Sequence, residues 1–534
     1  MTHSDPTPGA AVGDPAAAAA ENLRLTRAAG SVALATSASR LLGFLRDLLI
    51  AWVFGTGFGS DAFLAAFRIP NLFRRLLGEG SLSSAFVPVL TETLARDGQS
   101  DAQHLAASAA RILAIALAAA CLLGVLAAPG IVHVIAPGFA GTKFDLTVGL
   151  TRLMLPYLFA AGLAALWMGT LNVFGSFAAP AFTPALLNIA MIAAMLGINP
   201  LMVRPEKALA LAVLAGGAAQ LVFLSIGVAR RGVRLRRTAR SAAPALKRAA
   251  RLMAPIGLGS AVYQINILTV GLLASFLPEG SVSCLYYAER LVEFPMGVVA
   301  VAGATALLPS LAREAAFGDQ PALAATLAYA FRMVTFVTLP AAAGLLLLAE
   351  PMVALLFQRG EFGPESVRLT SQALSYYTLG LWGVSAARIT ATVFFAMQDA
   401  RAPLRAALIS IAANVAFGLL LMRPLAAGGL ALSVSMAALV NLGVLLAAAG
   451  RKLGHLDWRA MGVCLGRSLG CTLVMAAGVW QLSRLPWLRQ VHEAVGLAVT
   501  VSAGVLVYVA AAWAVQSPEL TDLRRLFKGN RFER

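Results

Sequence analysis

The chain has 534 residues, of which 59% are hydrophobic and only 13% charged, with a mean hydropathy of +0.78. A soluble domain carries about 25% charged residues, so a row of soluble domains is excluded. The continuous apolar runs likewise exclude a membrane β-barrel, which needs alternation. The formal net charge is +17. Nine of its cations crowd the stretch from Arg230 to Arg251 between two apolar runs, which is the pattern of a cytoplasmic loop and not of a nucleic-acid surface.

Residues 1 to 29 are Ala- and Pro-rich, and no basic segment there precedes an apolar core. They read as a disordered cytoplasmic tail and not as a signal peptide. Helices are predicted at 31–55, 61–95, 104–128, 146–174, 180–199, 207–230, 247–277, 282–314, 323–348, 366–397, 402–422, 428–450, 460–482 and 492–516. Each reaches the roughly 20 residues that cross a bilayer. Pro and Gly mark the joints, as at Ala136-Pro137-Gly138, Asn199-Pro200 and Leu277-Pro278-Glu279-Gly280. The expected fold is an all-α polytopic membrane protein with about 14 transmembrane helices.

Loops after even-numbered helices hold Arg96, the Arg230–Arg251 cluster, Arg313, Arg401 and Arg451, whereas Gly55 to Ser60 has no cation and Ala136 to Asp145 only Lys143. The positive-inside rule then puts both termini in the cytoplasm. The loop carrying Arg484 and Arg489 fits least well.

An internal repeat recurs at an offset of about 220 residues. Ala85-Phe86-Val87-Pro88 echoes Ala306-Leu307-Leu308-Pro309, Tyr157 pairs with Tyr377, Val173-Phe174 with Val393-Phe394, and Pro184 with Pro403. Six helices per repeat give both halves one orientation, with a central cavity between them. The domain organisation expected is a tail (1–29), two six-helix halves (30–231 and 232–450), and two C-terminal helices with a cytoplasmic tail (451–534).

Charge at membrane depth marks the candidate site. Arg40 and Arg46 stand in the first helix, and each costs about 2.5–3.5 kcal/mol at a helix centre on the insertion scale. They must face a wet or paired interior. Asn71, Arg74, Gly78 and Ser81 share one face of helix 2, and Arg68, Arg75 and Glu79 another, where they read as structural ion pairs. In helix 8, Glu289 and Glu293 share a face and Arg290 can pair with Glu293. Arg40, Arg46, Arg74 and Arg290 outnumber their nearby carboxylates, so the cavity needs an anion, and Arg suits phosphate. Phe63, Phe67, Tyr286 and Tyr287 read as packing.

Other chemistry is absent. No Gly-x-x-x-x-Gly-Lys-Ser/Thr pattern occurs, and the five His residues are scattered. Cys121, Cys284, Cys464 and Cys471 lack metal or disulfide spacing. Neither an enzyme, a metal nor a cofactor is expected.

The Ser39–Asp47 segment, Ser60-Asp61-Ala62-Phe63, Pro70-Asn71-Leu72-Phe73-Arg74-Arg75, Gly78-Glu79-Gly80, Ala85-Phe86-Val87-Pro88 and Tyr286–Pro295 together closely resemble the MurJ (MviN) lipid II flippases. The resemblance covers nearly the whole chain past the tail. It implies the multidrug/oligosaccharidyl-lipid/polysaccharide exporter fold, a place in the bacterial inner membrane, and alternating-access transfer of lipid II (undecaprenyl-pyrophosphate-linked disaccharide-pentapeptide) to the outer leaflet. Membrane lipids and other cell-wall synthesis proteins are the further partners it implies, and nucleic acid is not one. Carried over by position, the family's cavity arginines fall on Arg40, Arg46, Arg74 and Arg290, and its other polar motif positions on Asp47, Asp61, Ser283, Glu289 and Glu293. The two helices outside the repeat match the family's groove for the lipid tail. Some relatives bind sodium between helices 7 and 11, but here Gln264, Asn266 and Asn414 have no acidic companion. The alternative reading is export of another lipid-linked glycan, or of drugs, within the same superfamily. A cationic-drug exporter would want an acidic cavity.

Overall fold

The computed structural model describes residues 15–76, 82–198, 204–233, 243–297, 302–486 and 491–527. Helix α1 (Pro15–Phe54) is followed by α2 (Phe58–Arg74), α3 (Leu82–Arg96), α4 (Gln99–Ile135), α5 (Gly141–Met154), α6 (Tyr157–Val173), α7 (Ala178–Ala193, continued by a π-helical turn to Ile198) and α8 (Pro205–Arg230). Then come α9 (Ala243–Ala274), α10 (Ser281–Met296), α11 (Ala302–Ala316), α12 (Gln320–Leu347), α13 (Ala349–Phe357), α14 (Pro364–Leu379), α15 (Leu381–Ala396) and α16 (Arg401–Leu453). Helices α17 (Trp458–Ser483), α18 (Glu493–Ala514) and α19 (Pro518–Phe527) follow.

Several expected single helices are two. The 146–174 run breaks between α5 and α6 because Pro156 has no N–H to continue the ladder. The 366–397 run bends by 42° at Gly380, where a Cβ would strike the backbone of Ser435. The 61–95 and 282–314 runs are described as α2 with α3 and α10 with α11, and residues 77–81, among them Gly78, Glu79, Gly80 and Ser81, and 298–301 lie outside the described residues. Helix α1 starts at Pro15, well before residue 31, since Pro at a first helical position followed by an Ala run favours helix.

Among the described residues eight helical stretches, one of them α5 with α6, or nine counting the bent α14–α15 pair, are long and apolar enough to cross a membrane. One of these, the 53-residue α16, folds back on itself at Ala426, whose φ of 47° and ψ of −130° are non-helical. Hydrogen bonds from Ser410 Oγ to the Ala437 carbonyl and from Ser433 Oγ to Asn414 Oδ1 fix the two arms antiparallel. Joining the broken pairs and counting both arms of α16 gives fourteen crossing segments among the described residues, with α13 and α19 left over. Ile115, Leu122 and Leu126 of α4 and Leu473, Val505 and Leu506 of α17 and α18 are exposed, a surface suited to hydrocarbon.

The cavity follows from how the cores are distributed. At one end of the bundle a single core joins Ile50, Phe63, Met154 and Val213 to Leu273, Leu285, Tyr287, Phe357 and Leu430. At the other end it splits. Phe86, Leu105, Trp167 and Leu224 pack among α3, α4, α6 and α8, while Leu327, Phe331, Phe394 and Leu445 pack among α12, α15 and α16. The first end is therefore sealed and the second is open. Helix α9 crosses between units: Ala249 sits in the α3–α8 core and Leu273 in the joint core. Helix α17 packs on α12 and α18, outside both units.

Two outcomes are expected from the α16 hairpin. Its turn puts Ala426 in a conformation that glycine adopts without strain, so Ala426→Gly should stabilise by about 1 kcal/mol and raise the thermal midpoint of the detergent-solubilised protein. An unchanged or lower midpoint contradicts this. At the open end Asp399 accepts from the Arg401 and Ala402 N–H groups and pairs with Lys452 Nζ at 2.6 Å. The bond from Lys452 and then the two backbone N–H groups hold the Asp399 carboxyl below its ordinary range. A depressed carboxyl contributes stability above its unfolded pKa and loses it as pH falls through the folded value. Asp399→Asn should thus cost about 0.5–1 kcal/mol at pH 7, and the difference from wild type should vanish on acidification below that lowered value.

Candidate functional site

Helices α1, α2 and α10 carry the charges. At 1.5 Å per residue, Arg46 and Arg290 lie about 12–14 Å from the sealed end, and Arg40 and Arg74 about 21–24 Å. Asp47 is the hub. It is 2% exposed, and its Oδ1 accepts from Arg46 Nε (3.0 Å), Arg46 Nη2 (2.7 Å) and the Tyr286 hydroxyl (3.0 Å). Its Oδ2 lies 3.5 Å from Arg290 Nε. Arg46 Nη1 also donates to Asn188 Oδ1 at 3.0 Å, and Asn188 Nδ2 donates to the Ser39 carbonyl. Arg46 therefore ties α1 to α7 of its own unit and to α10 of the other. Arg290 pairs with Glu293 at 2.6 Å, as its spacing predicts, and lies 4.8 Å over the Tyr286 ring. Such an arrangement answers the cost of desolvating a guanidinium, because each buried charge has an opposite one in reach.

Beside this cluster is an open cavity of about 100 Å³. Arg68 and Asn71 of α2 and Arg75 just past its end, Gln264 and Asn266 of α9, Glu289, Arg290 and Glu293 of α10, and Tyr377 of α14 line it. Arg74 donates to Asn71 Oδ1 at 3.1 Å, which sets it beside the same wall. Arg40 is exposed, and its Nη1 lies 3.9 Å from the point where a Cβ on Gly297 would stand. Although Arg40 and Arg46 leave α1 on different faces, both reach α10. Among the described residues, six guanidiniums (Arg40, Arg46, Arg68, Arg74, Arg75 and Arg290) are set against the carboxylates of Asp47, Glu289 and Glu293.

Asp61 and Ser283 are brought together, but not in the cavity. Asp61, 1% exposed, accepts from the Gly280 N–H (2.8 Å), the Ser283 N–H (2.9 Å), Ser283 Oγ (2.8 Å) and Lys143 Nζ (2.8 Å). A carboxylate from α2 thus caps the N-terminus of α10 from the opposite unit, where the helix dipole favours it. Further bonds close the same end: Thr56 with Ser366 at 2.6 Å, Glu361 N–H to the Trp52 carbonyl at 3.0 Å, and Gly138 N–H to Ser275 Oγ at 3.0 Å. Gly55, with φ +55°, meets the Glu361 carbonyl so closely that a Cβ has no room. These residues form a plug.

Asn188, Lys143 and Tyr286 escaped notice as polar partners in the sequence reading, because each works through a residue far away in the chain. Among the described residues Arg68 forms no ion pair or hydrogen bond, and Glu79, the carboxylate expected on its face, lies outside them. Asn414 Nδ2 donates to Asn266 Oδ1 at 2.8 Å, so these two amides satisfy each other, and no group of three His, Cys, Asp or Glu side chains among the described residues could hold a metal.

The family profile described as lipid II flippase MurJ matches residues 50–515. The probable lipid II flippase MurJ of Vibrio cholerae is 34% identical over 476 residues, covering 87% of this chain and 91% of its own length. The lipid II flippase MurJ of Burkholderia cenocepacia is 36% identical over 427 residues, covering 78% and 82%. Among solved structures, a lipid II flippase MurJ in an inward closed conformation superposes with a TM-score of 0.75 at 23% identity, over 90% of this chain and 97% of that one. An inward-facing multidrug resistance MATE transporter of the MOP superfamily superposes with a TM-score of 0.68 at 15% identity, over 78% and 94%. These two likenesses speak for the fold.

The plug makes a double-mutant test available. Asp61→Ala strands Lys143 and uncaps α10, so it should destabilise by about 3–5 kcal/mol, read as a lowered thermal midpoint. Adding Lys143→Met should recover part of that loss. Additive losses in the double variant would show that the two groups do not act as a pair.

Proposed function

The chain belongs to the lipid II flippase MurJ family, and from that premise we propose that it moves lipid-linked peptidoglycan precursor from the inner to the outer leaflet of the bacterial cytoplasmic membrane. The observation that carries this reading is a cavity between two helical units, closed at one end and walled by more guanidinium than carboxylate. A cationic cavity in a membrane protein calls for an anionic cargo, and arginine binds phosphate oxygens in two-pronged fashion. The same excess of positive charge disfavours a cationic-drug exporter.

The open end is the end of the basic loops, where Arg96, Arg313, Arg401 and Arg451 lie, so we assign it to the cytoplasm together with both termini. Residues 30–231 and 232–450 act as the two halves, and α17 and α18 lie outside them. The pyrophosphate is taken up among Arg40, Arg46, Arg74 and Arg290, and Asp47 and Glu293 hold Arg46 and Arg290 in place until it arrives. The sugars and peptide occupy the wet centre, and the polyprenyl chain stays in lipid. Rocking of the halves then parts Asp61 from Gly280 and Ser283, and the cavity opens outward. An inside-negative potential favours outward passage of negative charge by about 2.3 kcal/mol per charge per 100 mV.

Arg46→Ala and Arg290→Ala should each abolish growth of a flippase-depleted strain at normal protein levels. Lipid II should then remain in the inner leaflet, protected from a lipid II-cleaving toxin added outside. Normal growth with either variant, or unprotected lipid II, contradicts the scheme.

A further inference from the structure

A second charge cluster stands away from the cavity, where α12, α17 and α19 meet. Glu519, the second residue of α19, is 2% exposed. Its Oε2 accepts from Ser517 Oγ at 2.8 Å and lies 3.9 Å from Arg467 Nη1, and its Oε1 lies 3.5 Å from Arg332 Nη1. Among the described residues neither guanidinium has another ion pair, and Arg332 Nε is buried with no acceptor. Asp522 pairs with neither of them, and the exposed Arg524 and Arg525 add further positive charge on α19. Two cations thus share one carboxylate at long range, whereas Lys143 and Asp61 close to 2.8 Å in the plug. The family profile ends at residue 515, before Glu519.

The direction of the spare charge decides what it can bind. The Arg467 and Arg332 side chains are 29% and 25% exposed. On α17, Arg467 follows Val463 by four residues and precedes Val474 by seven, and both valines are exposed. That spacing puts Arg467 on the apolar stripe of α17 that faces away from the protein. Depth narrows the choice further. Helix α18 ends at Ala514 beside the exposed Trp513, and tryptophan gathers at the level of lipid head groups. Glu519 follows five residues after Ala514, so the cluster lies near that level, at the end of the bundle that we assign to the cytoplasm. An arginine placed there extends its charged head to the interface, and the anions it meets are lipid phosphates.

We propose that Arg332 and Arg467 form a binding site for the phosphate of an anionic phospholipid of the inner leaflet, with Glu519 holding the place of that anion from within the chain. The site goes beyond the transport reading and uses none of the cavity residues. Because Glu519 competes with the lipid, removal of its charge strengthens binding. A single phosphate there joins α12 of the second half to α17 outside it.

The test places the full-length protein in phosphatidylcholine nanodiscs with a trace of photoactivatable phosphatidylglycerol, its diazirine close to the head group. The yield of adducts on the α17 peptide is the readout. Glu519→Gln should raise that yield about fivefold, the effect of one charge at a lipid surface. Arg467→Gln, which keeps the Arg332–Glu519 pair, should lower it about fivefold. Adducts on the Arg230–Arg251 loop should stay constant in both variants, and photoactivatable phosphatidylcholine should show neither effect. An unchanged or lower yield in Glu519→Gln, or an equal response of phosphatidylcholine, overturns the site and leaves the cluster a structural ion pair. Should Glu519→Gln fail to fold, an unchanged yield in Arg467→Gln overturns it alone. Displacement of the adduct by lipid II but not by unlabelled phosphatidylglycerol overturns the assignment to phospholipid.

Discussion

A guanidinium cannot be left alone in an apolar interior, and the arrangement of this protein follows from that constraint. Asp47 meets it for Arg46 and Arg290 at once, with Tyr286 supplying a third bond to the same carboxylate oxygen. Because Arg46 belongs to α1 and Arg290 to α10, this one carboxylate joins the two units at mid-depth. Glu293 adds a second carboxylate to Arg290, so the charge in excess is that of Arg40, Arg68, Arg74 and Arg75. The remaining guanidiniums stand about a cavity that exists because the joint core divides toward one end.

The same rigid elements reach both the plug and the charges. Helix α10 begins at Ser281 in the plug and carries Glu289, Arg290 and Glu293 in the cavity wall within one unbroken stretch to Met296. Helix α2 carries Asp61 at its start and Arg68 two turns on. The helices whose charges line the cavity are thus the ones whose ends hold the plug. Coupling between cargo and gate then needs no relay of side chains, since two packed helices with two discrete positions are enough.

Much of this could be read from the residues. Apolar runs of membrane length located fourteen crossings, and charges inside those runs picked out Arg46 and Arg290, because hydrocarbon tolerates such groups only in a paired or wet setting. Asp47 came only by position from the family resemblance. Breaks within crossings were harder to see. The division between α5 and α6 follows from Pro156, but the bend at Gly380 depends on the approach of Ser435, which no local pattern announces. Asp61 and Ser283 were singled out by position, yet their place in a plug and not in the cavity depends on contacts spanning 222 residues. The packing of Arg68 against Gly271 is legible only in three dimensions, since a lone glycine in α9 gives no sign that a side chain from α2 fills the space of its missing Cβ.

The central claim is that charged α2, α9 and α10 faces meet water from the basic end of the bundle and not lipid. Single cysteines at Asn71 and Gln264, in a background with the four buried native cysteines replaced, report on it directly in right-side-out and inverted membrane vesicles. Both should react with a charged, membrane-impermeant thiol reagent in inverted vesicles and stay protected in right-side-out ones. Cysteines inert to that reagent from either side, but quenched as fluorescent adducts by a lipid-borne nitroxide, would contradict the account.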